Sequence, residues 1–133
     1  MTDACVSIVL DGHRRAYRPG EILSGDYRLE GLAAEEIEAL ELSVLWFTEG
    51  KGDEDLAVHL FKRFSADEGD VIDPAHPGRF STQLPASPLS YEGVIVKIRW
   101  CVRIRVFLHR ARELMAEQVF RLGDLPHARA VLP

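Results

Sequence analysis

Four basic side chains that recur at every second position, with one interruption, are the residues of this chain best suited to bind another molecule. They are Lys97, Arg99, Arg103 and Arg105. Guanidinium groups hold carboxylate and phosphate oxygens through paired hydrogen bonds, so this row predicts a site for an acidic or phosphorylated segment of a protein partner. The competing interpretation is a solvated sheet face, whose cations pair with Glu41, Glu113 or Glu117 on neighbouring strands.

A second basic cluster follows the first apolar segment of the chain. It consists of His13, Arg14, Arg15 and Arg18. Beside an edge strand, such a cluster suits a partner that adds an extended strand of its own, because a sheet edge offers unpaired amides. The competing interpretation is a charged loop that keeps the edge from pairing with other copies of the chain.

The sequence shows no pattern typical of catalysis or of a cofactor. Its five histidines are scattered and form no zinc motif, and Ser90 lies in SYEG rather than in a GxSxG elbow. The acidic stretch from Asp67 to His76 carries oxygen ligands for calcium, but their spacing is not that of an EF-hand. We therefore expect a protein that is not an enzyme and has no metal or cofactor, and whether loop 67–76 holds a cation stays open.

Length, charge and hydropathy narrow the class of protein further. A chain of 133 residues has the size of one domain, and its formal net charge of −5 argues against a general nucleic-acid binder, which usually carries a basic excess. No apolar run approaches the roughly 18 residues of a membrane span. Residues 1–10 lack the basic and apolar parts of a secretion signal, so we expect a cytoplasmic protein.

The element that positions the basic row is predicted to be one long strand, Ser90–His109. From Val94 to Leu108 the apolar residues fall on alternate positions, and the cations lie between them. A period of two over this length gives a strand a buried face and a wet face, whereas the 3.6-residue period of a helix would not sort these residues.

Six further segments read as strands separated by turn signals. They are Ala4–Leu10, Ile22–Glu30, Ile37–Thr48, Leu56–Phe64, Arg79–Leu84 and Glu113–Leu122. Within one of them, Leu56, Val58 and Leu60 are predicted to face inward. About seven strands at this spacing predict an all-β, immunoglobulin-like β-sandwich of two antiparallel sheets.

Three segments, in order, resemble the amino-terminal domain of the arrestin family. The segments are Tyr17–Gly25 (YRPGEILSG), Ile37–Trp46 and Phe80–Val106, the last with LP, a second proline and SYEG before its strand. The resemblance implies an arrestin-like sandwich over residues 1–122, followed by a carboxy-terminal tail at 123–133. It also implies a non-catalytic scaffold or adaptor for a protein partner, with the amino-terminal edge able to accept an added strand.

Two other functions remain as alternatives to the adaptor. One is a structural subunit that forms a homo-oligomer through an apolar patch of Leu45, Phe47 and Phe107, each on the otherwise polar side of its strand. The other is a ligand-binding or calcium-binding sandwich, which requires exposed aromatic pairs or a formed acidic site. The sequence does not identify the partner, the pathway or the oligomeric state.

Overall fold

The computed structural model of this protein describes residues 3–52 and 54–123, which form two β-sheets packed face to face. The described residues contain strands and three short 3-10 turns, and no α-helix. None of their helical segments is long and apolar enough to cross a membrane. The predicted all-β sandwich is confirmed. The predicted tail, 123–133, lies outside the described residues apart from Gly123.

Nine strands make up the two sheets in the described part of the chain, and the seven longer ones correspond to the seven predicted from sequence. In chain order they are β1 (Cys5–Leu10), β2 (Ala16–Tyr17), β3 (Ile22–Glu30), β4 (Ile37–Gly50), β5 (Leu56–Ser65), β6 (Gly78–Gln83), β7 (Tyr91–Glu92), β8 (Val96–Leu108) and β9 (Arg112–Leu122). The 3-10 turns are Asp11–His13, Ala34–Glu36 and Ala66–Glu68.

The smaller sheet has the order β1-β3-β6, and the larger sheet has the order β2-β9-β8-β4-β5. In the larger sheet, β7 also pairs with the start of β8. Among the described strands, every pair is antiparallel except the two-residue pair of β2 with β9, which is parallel. The short β2 and the long β5 are therefore the two edges of the larger sheet.

The core lies between the sheets and is built from alternate residues of the central strands. On β4 and β8 the residues with at most 2% of their surface exposed include Leu40, Leu42, Val44, Trp100, Val102, Ile104, Val106 and Leu108. From Trp100 onward this is the alternation expected for the long strand. The indole N–H of Trp100 donates to the carbonyl oxygen of Pro88 at 2.8 Å, which satisfies its polar atom inside the core.

The long predicted strand is in fact two strands, the short β7 and the longer β8, which form a hairpin. Val94, expected on the buried face, is fully exposed, and β8 begins only at Val96. The cause is a tight turn at Gly93, whose N–H donates to the carbonyl oxygen of Val96 at 3.0 Å. The turn folds β7 back onto the start of β8.

The expected facing of β5 is wrong for two of its three residues. Leu56 and Val58 are 55% and 49% exposed, and only Leu60 faces the core. Leu60 is opposite Val44, whereas Val58 is opposite Leu45, so His59 is an extra residue at this point of the ladder. Such a β-bulge turns the residues before it onto the other face, and sequence alternation alone does not reveal it.

Candidate partner-binding site

The basic row of β8 lies on the outer face of the larger sheet, between β4 and β9. Two of its arginines are held by carboxylates of β9. Arg103 Nε donates to Glu117 Oε2 at 2.6 Å, and Arg105 donates to both oxygens of Glu113, at 2.7 and 3.1 Å. These are the pairs that the solvated-face interpretation requires.

Arg105 also belongs to a charge network that crosses the sheet. Its guanidinium lies 3.7 Å from Glu41 Oε1, and Glu41 accepts a hydrogen bond from Arg63 of β5 at 2.5 Å. The hydrogen bond to Glu113 raises the pKa of Arg105, and the same bond lowers the pKa of Glu113. Neighbouring carboxylates therefore neutralise this half of the row.

The other half of the row lies near the β7–β8 hairpin. Arg99 pairs with Glu49 of β4 and lies 3.4 Å from Glu92 of β7. The hydrogen bond to Glu49 raises the pKa of Arg99. Lys97 is exposed and forms no ion pair with a described residue.

In the amino-terminal cluster, an ion pair holds the side chain of Arg14, whereas the other basic side chains form none with described residues. Arg14 donates to Glu21 at 2.9 Å, and its guanidinium lies 4.3 Å from the centre of the Tyr17 ring. The backbone N–H of Arg18 donates to the same Glu21 carboxylate at 2.7 Å, and these bonds lower the pKa of Glu21. His13 and the side chains of Arg15 and Arg18 are exposed and form no ion pair within the described part of the chain.

Pairing of β2 with β9 brings the two basic regions together. The N–H of Arg121 donates to the carbonyl oxygen of Arg15 at 2.7 Å. The backbones that carry these two side chains are therefore direct neighbours. Arg15, Arg121 and Arg99 line one pocket of about 250 Å³. Its remaining lining residues are Ser90, Glu92, Ile98, Gln118, Val119 and Phe120.

The pocket has the groups that bind an anion. Three arginines from three strand regions line it, and Ser90 is a further lining residue. Ser90 Oγ accepts the N–H of Leu122 at 2.8 Å, which leaves the hydroxyl proton available to donate. Since Arg99 already contacts Glu92, an arriving carboxylate or phosphate would replace an existing partner rather than meet an isolated charge.

Sequence reasoning missed Arg121 because the facing of the last strand was ambiguous. The signal was available in the sequence of β9, where Glu113, Glu117 and Arg121 are an even number of positions apart and so share one face of a strand. The structure exposes all three. The parallel pairing of β2 with β9 was not visible, since a two-residue strand leaves no periodic pattern.

The three apolar residues predicted as an interface lie on the same outer face and differ in exposure. Leu45 is only 1% exposed, and Phe47 and Phe107 are half-buried. The guanidinium of Arg105 lies 4.9 Å from the centre of the Phe107 ring and that of Arg63 lies 5.6 Å from it. The large apolar side chains that are exposed on this face belong to the outer strands, and they are Leu56, Val58, Phe61, Met115 and Val119.

The acidic loop uses two of its carboxylates to hold its own backbone. Asp70 accepts the N–H of Ser65 at 2.8 Å, and Asp73 accepts the N–H of Ala75 at 2.9 Å and pairs with His76 at 2.7 Å. The bond from His76 is the main cause of the lowered pKa of Asp73. Within residues 3–52 and 54–123, no three metal-ligating side chains come together.

Comparison with known proteins identifies the fold. No family model matches the sequence, and no curated protein matches it. Among solved structures, the sporulation control protein Spo0M from Bacillus subtilis superposes with a TM-score of 0.64 at 17% identity, over 95% of this chain. The chain spans 51% of the Spo0M chain. The fold is therefore the arrestin-like β-sandwich that the sequence resemblance implied.

Proposed function

We propose that the chain is a non-catalytic adaptor that binds an acidic or phosphorylated segment of a protein partner. The observation that carries this proposal is the pocket at which Arg15, Arg99 and Arg121 meet. Three guanidinium groups from separate strand regions give bidentate contacts to carboxylate or phosphate oxygens. The likeness of the fold to a sporulation control protein fits a regulatory or adaptor role.

The ion pairs within the protein favour the pocket, rather than Arg103 and Arg105, as the place where the partner binds. Arg103 and Arg105 are already bound by Glu117 and Glu113, so a partner would have to displace those carboxylates. Arg15 and Arg121 have no such intramolecular partner among the described residues. The proposed contacts are therefore Arg15 and Arg121. Arg99 joins them because it lines the same pocket and can exchange its contact with Glu92 for the partner. The other predicted basic residues supply long-range attraction.

The proposal is tested by reversing the two arginines that make no ion pair. We expect the variant Arg15→Glu/Arg121→Glu to bind a fluorescein-labelled peptide, with one phosphoserine between glutamates, about tenfold or more weakly than the unchanged protein. Fluorescence anisotropy measures this affinity at low ionic strength. The melting temperature should stay close to that of the unchanged protein, since no intramolecular ion pair is removed.

A matched control separates the pocket from net charge. The variant Arg28→Glu/Lys51→Glu changes the charge by the same amount at exposed positions outside the pocket. It should retain peptide binding within about twofold, apart from weak long-range effects. Equal affinity of the pocket variant and the control for the phosphopeptide would refute the proposed function.

A further inference from the structure

We propose that the open edge of β5 is a second docking site, at which a partner adds an extended strand that carries acidic and apolar side chains in alternation. This edge is separate from the arginine pocket, because β5 and the β2–β9 pair lie at opposite sides of the larger sheet. It also differs from the amino-terminal edge, which belongs to the smaller sheet.

The backbone of β5 is unpaired along most of one side. The strand has ten residues and pairs only with β4 among the described strands. From residue 56 to residue 64, no backbone group forms a hydrogen bond with a described residue outside β4. The acidic loop closes the edge only at its end, where the N–H of Asp70 donates to the carbonyl oxygen of Ser65 at 3.1 Å. A long edge of this kind is a template for another strand.

Large apolar side chains line the outer face of the same edge. Leu56, Val58 and Phe61 are 55%, 49% and 52% exposed. They are opposite residues of the outer face of β4, so an added strand would place its own side chains of that face beside them. The bulge at His59 explains why three large apolar residues point to solvent in a strand whose alternation predicted otherwise.

The charge on β5 favours a partner strand with acidic side chains. Between Leu56 and Ser65 the charged side chains are Lys62 and Arg63, and the strand has no acidic residue. Lys62 is exposed and forms no ion pair with a described residue, whereas Arg63 is bound to Glu41. Pairing with β5 of a second copy would bring these cations together, which is unfavourable across a ladder. Lys62 is opposite Leu42 and Arg63 is opposite Glu41, so the two cations point to opposite faces of β5. An alternating strand whose apolar side chains lie beside Phe61 therefore places its acidic side chains on the face of Lys62, where they are favourable.

The segments on either side of β5 limit how long the acidic strand of the partner can be. Glu54 and Asp55 precede β5, and Asp67 and Glu68 follow it in the next turn. An acidic strand that extended past either end would meet like charges. The segment that fits is therefore short, with its acidic residues opposite the centre of β5.

The test uses three labelled heptapeptides and fluorescence anisotropy. The first alternates valine with glutamate, the second replaces each glutamate by lysine, and the third is the glutamate peptide with alternate amides N-methylated. We expect the first to bind with a Kd below about 1 mM and the other two to bind at least about fivefold more weakly. N-methylation removes donors that the ladder needs, and lysine in place of glutamate meets Lys62 as a like charge.

Variants assign the binding to β5. Lys62→Glu and Phe61→Asp should each weaken the glutamate peptide by about fivefold. The exposed control Arg28→Glu, on the smaller sheet, should not. Hydrogen exchange should show slower exchange of amides in Leu56–Phe64 on peptide addition. Melting curves report whether each variant is folded. Lys62 is exposed and forms no ion pair with a described residue, so Lys62→Glu still tests the proposal if Phe61→Asp is unstable.

Several outcomes would overturn the proposal. These are no binding of the glutamate peptide at about 1 mM, equal binding of the N-methylated peptide, or protection on the amino-terminal edge instead of β5. Dimerisation of the unliganded protein that Phe61→Asp abolishes would identify a second copy as the occupant. Loss of phosphopeptide binding in the arginine-pocket variant leaves this proposal unaffected, since the two sites are read by different probes.

Discussion

At the residue scale, the same side-chain type has different roles according to what lies opposite. Arg103 and Arg105 face glutamates of β9 and become part of the sheet's own charge pairing. Arg15 and Arg121 lie where β2 meets β9 and have no such pair among the described residues. Exposed ion pairs contribute little to stability, so their main effect is to remove a cation from the set available to a partner.

Cysteine chemistry provides a direct check of burial on the outer face. Cys101 interrupts the basic row, is fully buried, and has a pKa raised to about 12, chiefly because burial disfavours the thiolate. Cys5 is exposed. We expect a thiol reagent at about pH 8 to label Cys5 rapidly and Cys101 only on unfolding.

The labelling experiment has an internal control. In Cys5→Ser the folded protein should show no rapidly reacting thiol, whereas the unfolded protein should show one. Rapid labelling of Cys101 in the folded protein would mean that the outer face opens at this point, against the burial described above.

At the element scale, the sequence predicted where the strands lie but not where a bulge or a turn interrupts them. Alternation located seven strands, with Ile22–Glu30 predicted to the residue. It failed where one residue changes the phase, as at His59 in β5, and where a turn interrupts an apolar run, as at Gly93. Both failures matter, because the first creates the exposed apolar edge and the second places Glu92 beside Arg99.

One prediction at this scale concerns Gly25, in the middle of β3. A side chain there would place its Cβ 2.6 Å from the carbonyl oxygen of Val9 on β1, which is closer than real Cβ atoms come. We expect Gly25→Ala to lower the free energy of unfolding by about 1–3 kcal/mol, because the β1–β3 ladder must move apart. Urea denaturation measures the change.

Ser81→Ala is the matched control for Gly25→Ala. Ser81 is exposed on β6, next to β3 in the same sheet, so this substitution should change stability by less than about 0.5 kcal/mol. If the two variants were equally stable, β1 and β3 would not approach as closely as described.

At the scale of the whole molecule, binding features lie at opposite edges of one sheet. The arginine pocket forms where the amino-terminal segment joins β9, and the uncovered edge of β5 lies across the sheet. The pocket could be predicted only in part, because Arg15 and Arg99 are 84 positions apart in the sequence numbering and meet through a two-residue strand pair. A net charge of −5 does not prevent such a local cationic site, since charges beyond about 10 Å are screened.

The most direct test of the central claim is an NMR titration that observes the arginine side chains themselves. The phosphoserine peptide is added at low ionic strength while the Nε–Hε resonances of all arginines are followed. We expect saturable shifts for Arg15, Arg99 and Arg121, and small shifts for Arg103 and Arg105, which stay paired with Glu117 and Glu113. Saturable shifts confined to Arg103 and Arg105, or none at the three pocket arginines, would contradict the account.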